Sequence, residues 1–325
     1  MAFKIRDFST WFIQIFLGKA ISLFALSQLH LPARLAGNLL ARPQGAGRRY
    51  QDKLRSFFPD LPTTFGRDYV RHFPLLFCER IKFPDFVEDV ALDRFFDVEA
   101  KEHLDQALAQ GKGAILLTSH FGAFEAGFLH LTRLGYKVNI VRAVTDQSSR
   151  LGSQSLHQAV MRFRMGILRR TPAQFLFYKP DKPLIEMIQA ALDRNEIVLI
   201  MPEGSRGSHF YDVPLGRGQI RLASGFAYLS LKTGAPTLSY FCVREKNRYR
   251  LIIEPPLTQD NSAADLNSLV AQFANLLEKY IRRYPDQWQI LPTLRQDEKS
   301  DLPLLLNPSL EQETFYDLDD FPEES

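Results

Sequence analysis

Short apolar segments alternate with longer amphipathic ones between residues 113 and 284, and this alternation constrains the fold more than any other feature. The apolar segments have the length of buried strands, and the amphipathic ones have the length and spacing of helices. The predicted strands are GAILLTS (113–119), KVNIVRA (137–143), QFLFY (174–178), EIVLIM (196–201), PTLSYFCV (236–243) and RYRLIIE (248–254). The predicted helices lie near 124–135, 152–170, 182–195, 219–233 and 263–284. Such alternation predicts an α/β fold, with a mostly parallel sheet flanked by helices.

The most apolar stretch of the chain lies near its start, at residues 8–31 (FSTWFIQIFLGKAISLFALSQLHL). Lys19 lies at its centre, and a charge in the middle of a membrane span costs roughly 2.5–3.5 kcal/mol. The stretch therefore favours a membrane-associating helix that lies in the interface over one that crosses the bilayer. It also lacks the short apolar core and small-residue cleavage site of a signal peptide.

The net charge of +3 hides an uneven distribution. The last fifteen residues contain seven acids and no Lys or Arg, so removing those seven charges leaves +10 for the other 310 residues. Nine Lys or Arg residues lie in positions 1–55 against two acids. This basic region suits an anionic surface such as a membrane leaflet or a nucleic acid, and a solvated face is the plain alternative. The acidic end is predicted to be a disordered tail.

A histidine and a glutamate follow the strand GAILLTS, in the motif SHFGAFE. Ligands of a parallel sheet bind at the carboxyl ends of its strands, which is where His120 falls. Glu125 follows on the first turn of the next helix, and we expect its carboxylate to accept the ring N–H of His120. That bond would leave the other ring nitrogen free as a general base. A structural histidine is the alternative.

A second motif, PEGSRG, follows the strand EIVLIM. Glu203, Gly204, Ser205 and Arg206 form a loop with many backbone N–H donors and one guanidinium, which suits a phosphate. The alternative is a tight turn in which Glu203 pairs with Arg206. Because both motifs end strands of one sheet, we expect them to face the same crevice.

Two further arginines are candidates for substrate binding. Arg142 ends the strand KVNIVRA, and Arg217 lies in the stretch VPLGRGQIRLASG, which we expect at a helix entrance, where backbone N–H groups favour anions. For the second stretch a purely structural role is the alternative. No glycine-rich nucleotide loop or G-x-S-x-G nucleophile motif is present, and the histidines lack metal-ligand spacing, so no cofactor or metal is expected. Cys78 and Cys242 are widely separated in apolar surroundings, which indicates buried thiols in a reducing compartment.

The motifs SHFGAFE and PEGSRG resemble the H-x(4)-[DE] and P-E-G blocks of the lysophospholipid acyltransferase superfamily. The wider layout, including LRSFFPDLP, YRLIIEPPL and IRRYPDQW, most resembles the bacterial lipid A late (lauroyl/myristoyl) acyltransferases over roughly residues 11–290. In lipid A enzymes the block that corresponds to PEGSRG more often begins with Pro-Asp. The form PEGSRG is closer to the same block of glycerophospholipid acyltransferases. The acceptor therefore stays open.

This resemblance implies a glycerolipid acyltransferase-like fold and O-acyl transfer from an acyl thioester to a lipid hydroxyl. His120 would be the base, Glu125 its orienting partner, and Glu203, Gly204 and Arg206 the acceptor-binding block. The implied partners are an acyl carrier protein or acyl-CoA donor, a lipid acceptor and the cytoplasmic face of a bacterial inner membrane, with no nucleic acid. A non-catalytic lipid-binding protein and a lipid or thioester hydrolase are the alternatives. The expected organisation is a membrane helix at 1–31, an acyltransferase domain at 32–295 and a tail at 296–325.

Overall fold

The structure is a computed structural model. It describes residues 17–41, 45–82, 90–145, 154–178, 183–204, 209–246, 248–257, 266–297, 299, 301–306 and 315–316.

Eleven α-helices lie in the described residues: α1 (Gly18–Ser22), α2 (Leu26–Leu40), α3 (Gly45–Phe57), α4 (Gly66–Arg71), α5 (Phe73–Ile81), α6 (Lys101–Leu108), α7 (Phe124–Arg133), α8 (Gln154–Arg170), α9 (Leu184–Asp193), α10 (Gly225–Thr233) and α11 (Leu266–Arg283). The strands described are β1 (Phe96–Glu99), β2 (Ala114–Leu117), β3 (Val138–Arg142), β4 (Val144–Thr145), β5 (Gln174–Phe177), β6 (Ile197–Ile200), β7 (Phe210–Leu215), β8 (Gly218–Ala223), β9 (Thr237–Glu245), β10 (Arg248–Ile253), β11 (Arg295–Asp297), β12 (Leu304–Leu306) and β13 (Phe315–Tyr316).

A seven-stranded sheet in the order β1-β10-β9-β2-β6-β3-β5 forms the centre of the protein. Only the β9–β10 pair is antiparallel among its neighbours, which confirms the predicted mostly parallel sheet. All four residues of β2 are buried, because helices cover both faces of a parallel sheet. Strands β2, β6 and β3 run side by side in the same direction, so their carboxyl ends share one edge.

A second sheet, in the order β11-β12-β8-β7, corrects the prediction of a helix from residue 219. Residues 218–223 form strand β8 of a hairpin, and α10 begins only at Gly225. Buried residues alternate along both strands, with Val213 and Leu215 on β7 and Ile220 and Leu222 on β8, which is the period-two pattern of a half-buried strand.

The segment expected to be a tail also contributes strands. Leu304 and Leu305 are buried and pair with β8, so the expected boundary at residue 296 does not separate a disordered end from the domain. Farther on, β13 pairs with β4, which follows Arg142 after one residue.

At the other end of the chain, α2 crosses the expected boundary at residue 31 and packs against α5 and against the end of α4. Gly37 is required there, because a Cβ atom would lie 2.4 Å from the carbonyl oxygen of Arg71. Residues 8–16 of the predicted membrane helix lie outside the described residues. Within the described ranges, no helix has both the length and the apolar character needed to span a bilayer.

A buried ionic network joins these N-terminal helices to the sheet. Arg244 on β9 donates to both carboxylate oxygens of Glu79 on α5. Tyr249 donates to the same carboxylate at 2.7 Å, and the ring of His30 on α2 lies 3.2 Å from the Tyr249 hydroxyl. Because each charge is buried and has a partner, the network fixes how α2 and α5 sit on the sheet.

Removing one side of this network should be costly. Glu79→Ala leaves the Arg244 guanidinium buried without its counter-charge and should lower the free energy of unfolding by about 3–5 kcal/mol. Urea denaturation measures the loss. The matched control is Asp68→Ala, which breaks the exposed pair with Arg71 and should cost no more than about 1 kcal/mol. Equal losses in the two variants would contradict the assigned role of the network.

Candidate active site

His120 lies in a tight turn between β2 and α7, at the shared carboxyl edge of the sheet. The turn requires Gly122, whose φ is +57° and where a Cβ atom would lie 2.3 Å from the carbonyl oxygen of Cys242. The imidazole packs edge-on against Phe124 and keeps 34% of its side-chain surface exposed. The sequence therefore presents a solvent-accessible imidazole at the end of a fully buried strand.

The carboxylate of Glu203 lies beside this imidazole and is fully buried. It arrives from the end of β6, the strand next to β2. One oxygen, Oε2, is 3.0 Å from His120 Nδ1 and accepts the His120 backbone N–H at 2.9 Å. The other, Oε1, accepts the Ser119 hydroxyl and the indole N–H of Trp288, the latter at 2.7 Å. Four donors thus surround one buried negative charge.

These donors decide the charge state of the pair. Burial alone would raise the pKa of Glu203, but the hydrogen bond and charge of His120, with the bonds from Ser119 and Trp288, lower that pKa below its ordinary value. An ionised Oε2 can only accept, so Nδ1 of His120 carries the proton. In the neutral imidazole this tautomer leaves the lone pair on Nε2, which is the arrangement that general-base chemistry needs.

The segment after α11 packs against the turn that carries His120. Trp288 is completely buried and forms a β-bridge with Phe121, while the backbone N–H of Gln289 donates to the carbonyl oxygen of His120 at 2.7 Å. The carbonyl oxygen of Gln287 accepts the Gly122 N–H at 2.8 Å. Sequence reasoning did not find Trp288 as a site residue, because its only signal was its place in IRRYPDQW.

The structure brings the two predicted motifs together, as expected, but the carboxylate that contacts His120 is Glu203 and not Glu125. Glu125 is buried on the first turn of α7 and accepts a hydrogen bond from Arg80 Nε on α5 at 2.6 Å. The physical reason is that Nδ1 is already occupied from the neighbouring strand, while the start of α7 faces α5. Arg142 lies near enough to interact electrostatically with both Glu125 and Arg80.

The remaining predicted site residues divide into three cases. Gly204 lies in the turn after Glu203, where its N–H donates to the Met201 carbonyl at 3.2 Å. Ser205 and Arg206 lie outside the described residues.

Arg217 lies at the β7–β8 hairpin turn and not at a helix entrance. It is exposed, and the length of β7 separates it by roughly 17 Å from the end of the hairpin that contacts Pro202. Among the residues that the structure describes, no group of three or more His, Cys, Asp or Glu side chains is arranged to hold a metal ion.

Comparison with known proteins identifies the family of the chain. Residues 4–294 match the family described as bacterial lipid A biosynthesis acyltransferase. The chain belongs to this family. The match covers both motifs and Trp288, and it confirms the resemblance drawn from the sequence.

The individual relatives share about a quarter of their aligned residues with this chain. The chain is 27% identical over 192 residues to a phosphatidylinositol mannoside acyltransferase of Mycobacterium tuberculosis, covering 58% of this chain and 57% of that protein. A protein of the same description from Mycolicibacterium smegmatis is 23% identical over 236 residues, which cover 71% and 72% of the two chains. The lipid A biosynthesis palmitoleoyltransferase of Escherichia coli is 26% identical over 208 residues, or 62% of each chain.

The four-donor arrangement predicts that Glu203 tolerates no neutral replacement. In Glu203→Gln either orientation of the amide turns its NH₂ group toward N–H or O–H donors, so we expect the free energy of unfolding to fall by about 1–3 kcal/mol. Urea denaturation checks this, and the nitrogen chemical shifts of His120 report whether the proton leaves Nδ1. Glu102→Gln, at an exposed acid on α6, is the control and should change stability by no more than about 1 kcal/mol. A Glu203→Gln variant as stable as the wild type would contradict the assigned network.

Proposed function

We propose that this chain transfers a fatty acyl group from an acyl thioester to a hydroxyl of a lipid. The observation that carries the proposal is the His120–Glu203 pair, in which a buried carboxylate holds Nδ1 of an imidazole that keeps 34% of its side-chain surface exposed. The family match and the acyltransferase names of three relatives support it.

The proposed reaction needs one base and no covalent enzyme intermediate. His120 Nε2 takes the proton of the acceptor hydroxyl as that oxygen attacks the thioester carbonyl carbon. The imidazolium that forms is stabilised by the Glu203 carboxylate. The tetrahedral intermediate then collapses, the C–S bond breaks, and the leaving thiolate takes the proton from His120. Ser119 is unsuited to be a nucleophile, because its buried hydroxyl donates to Glu203.

Donor and acceptor are proposed by chemical class. The relatives are named for two acceptors, phosphatidylinositol mannoside and lipid A, and we propose a lipid acceptor of this kind. Gly204, Ser205 and Arg206 are proposed to bind it, with Arg206 on a phosphate. The donor is an acyl carrier protein, whose acidic surface would suit the basic body of the chain, or acyl-CoA.

Incubation of the purified protein with a labelled acyl thioester and a lipid extract tests the function. Label in a lipid product supports acyl transfer. Label released as free fatty acid would indicate a hydrolase, and unchanged thioester with lipid still bound would indicate a non-catalytic lipid-binding protein. Mass spectrometry of the labelled lipid then identifies the acceptor.

The base makes a second prediction. His120→Ala should lower kcat by about two to four decades, which is the usual contribution of a general base, while the fold is retained because the side chain is partly exposed. Steady-state kinetics and a thermal melt measure both effects. His103→Ala is the control and should keep its activity, because in the described residues the His103 ring is hydrogen-bonded to the Ile253 carbonyl, away from the His120 turn. Wild-type turnover of the His120→Ala variant would end the proposal.

We also propose that the protein acts at the cytoplasmic face of a bacterial inner membrane. On α2, Leu31, Leu35 and Leu39 are more than half exposed and recur every four residues, which lines them along one face of the helix. Arg34 is exposed between them. An exposed apolar stripe beside basic residues is typical of a helix that lies in a lipid interface, and residues 8–16 precede it with further apolar side chains.

Replacing the three stripe leucines by serine should weaken binding to vesicles that contain anionic lipid. Each leucine buried in lipid contributes on the order of 1.5–3 kcal/mol, so the triple variant should lose well over tenfold in affinity without loss of thermal stability. Vesicle sedimentation measures the binding. The control Leu134→Ser changes an exposed leucine at the far end of α7 and should bind like the wild type. Unchanged binding of the triple variant would remove α2 from the membrane contact.

A further inference from the structure

Two arginines interact with a single carboxylate beside the candidate active site, one through a hydrogen bond and the other electrostatically. Arg80 donates to Glu125, whose carboxylate is almost completely buried, and the Arg80 side chain itself is about half exposed (48%). Arg142 interacts electrostatically with the same Glu125 and with Arg80. Two guanidinium groups and one carboxylate leave this cluster with one uncompensated positive charge.

The surroundings of the Arg142 guanidinium do not offset this positive charge fully. Its side chain is half-buried, and within the part of the chain that the structure describes no hydrogen-bond acceptor contacts its guanidinium. The guanidinium lies 5.8 Å from the centre of the Phe175 ring, a cation–π contact that orients it. Burial lowers the pKa of Arg142, and the charge of Arg80 lowers it further against the opposing effect of Glu125. A partly desolvated cation with unused donors is stabilised by a bound anion.

The cluster lies on the same edge of the sheet as His120. Arg142 is the last residue of β3, and the strand order β2-β6-β3 separates it from the strand of His120 by two inter-strand spacings, or roughly 10 Å. Glu125 lies on the helix that begins directly after the His120 turn. An anion held by the cluster would therefore lie within the length of a lipid headgroup or cofactor arm from the reacting atoms.

The geometry of the group selects among anions. A guanidinium offers a planar pair of N–H donors that matches two phosphate oxygens, and two guanidinium groups around one point give a phosphate three or more charge-assisted bonds. Glu125 neutralises part of the charge and offsets the repulsion between the two guanidinium groups.

We propose that Arg80 and Arg142, which both interact with Glu125, form a phosphate-binding site for a substrate of the acyl transfer reaction. The identity of the ligand as a substrate rests on the proposed function. Two substrates could supply the phosphate: the phosphopantetheine arm common to acyl carrier protein and coenzyme A, and the headgroup of the lipid acceptor.

Binding measurements without turnover test the site. The full-length protein is titrated calorimetrically with two matched pairs of probes, phosphopantetheine against pantetheine, and short-chain phosphatidylinositol against the corresponding diacylglycerol. We expect the wild type to prefer the phosphorylated member of one pair, and that pair identifies the source of the phosphate. Arg142→Gln and Arg80→Gln should each weaken binding of that member about 10- to 100-fold and leave binding of its phosphate-free partner unchanged.

Two further variants guard against a trivial loss of structure. Arg142→Lys keeps the charge without the planar fork and should recover only part of the affinity. Arg248→Gln removes an exposed arginine that is already paired with Asp97, and both its affinities should equal those of the wild type. The proposal is overturned if the wild type shows no preference in either pair, or if the preference survives both Gln variants.

The same proteins, assayed for acyl transfer, separate this proposal from the proposed function. A phosphate preference that depends on Arg142 in a protein that transfers no acyl group would contradict the enzyme and retain the site. Acyl transfer without any phosphate preference would support the enzyme and contradict the phosphate site.

Glu125 gives an independent check, because it acts here through the arginines and not through His120. Its replacement by Gln should raise the KM of the phosphate-bearing substrate, and the loss in kcat/KM should add to the loss from His120→Ala. Were Glu125 instead a partner of the base, the double variant would lose little more than His120→Ala alone.

Discussion

The buried carboxylate of Glu203 is the interaction on which the rest of the site depends. A charge withdrawn from water is tolerated only when donors replace its hydration, and here four donors come from two separate parts of the chain, residues 119–120 and Trp288. Satisfying this one group fixes the end of β2 against the end of β6 and draws the segment around Trp288 over both. The orientation and protonation of His120 follow from that arrangement.

Two carboxylates close to one histidine have different surroundings, and so they suit different tasks. Glu203 is enclosed by neutral donors and the imidazole, so its charge is available to stabilise a proton on His120. Glu125 lies between arginines, where its charge is already offset. The motif spacing alone suggests a direct Glu125–His120 pair. In the structure Glu203 contacts the imidazole, whereas Glu125 interacts with the two arginines.

Much of the architecture could be predicted from local patterns. The strands β2, β3, β5, β6, β9 and β10 were found because buried parallel strands are continuous apolar runs, and the edge shared by His120 and Glu203 followed from the rule that parallel strands end together. The β7–β8 hairpin was missed because Gly216, Arg217 and Gly218 were interpreted as a helix entrance, although the flanking residues alternate with period two.

The hydrogen-bond partners in the site could not be predicted, because they lie far apart in the sequence. Local spacing says which side chains leave the same strand end, but not which of two carboxylates reaches Nδ1. Trp288 and Arg80 join the site through contacts that span tens of residues, and no periodicity encodes them. A bond between residues so far apart becomes visible only when the helices and strands between them are in position.

The segment after α11, which contains Trp288 and Gln289, affects when the site forms during synthesis of the chain. Trp288 contacts a residue 85 positions earlier, and Gln289 contacts Gly122 across 167 positions, so the sheet edge is finished last. Chain segments fold as they leave the ribosome, and contacts of such high sequence separation form slowly. A nascent chain whose α11 is still in the exit tunnel already holds its base and its carboxylate, yet lacks the indole that satisfies Oε1. The base is therefore set in its final geometry only once nearly the whole domain has been made.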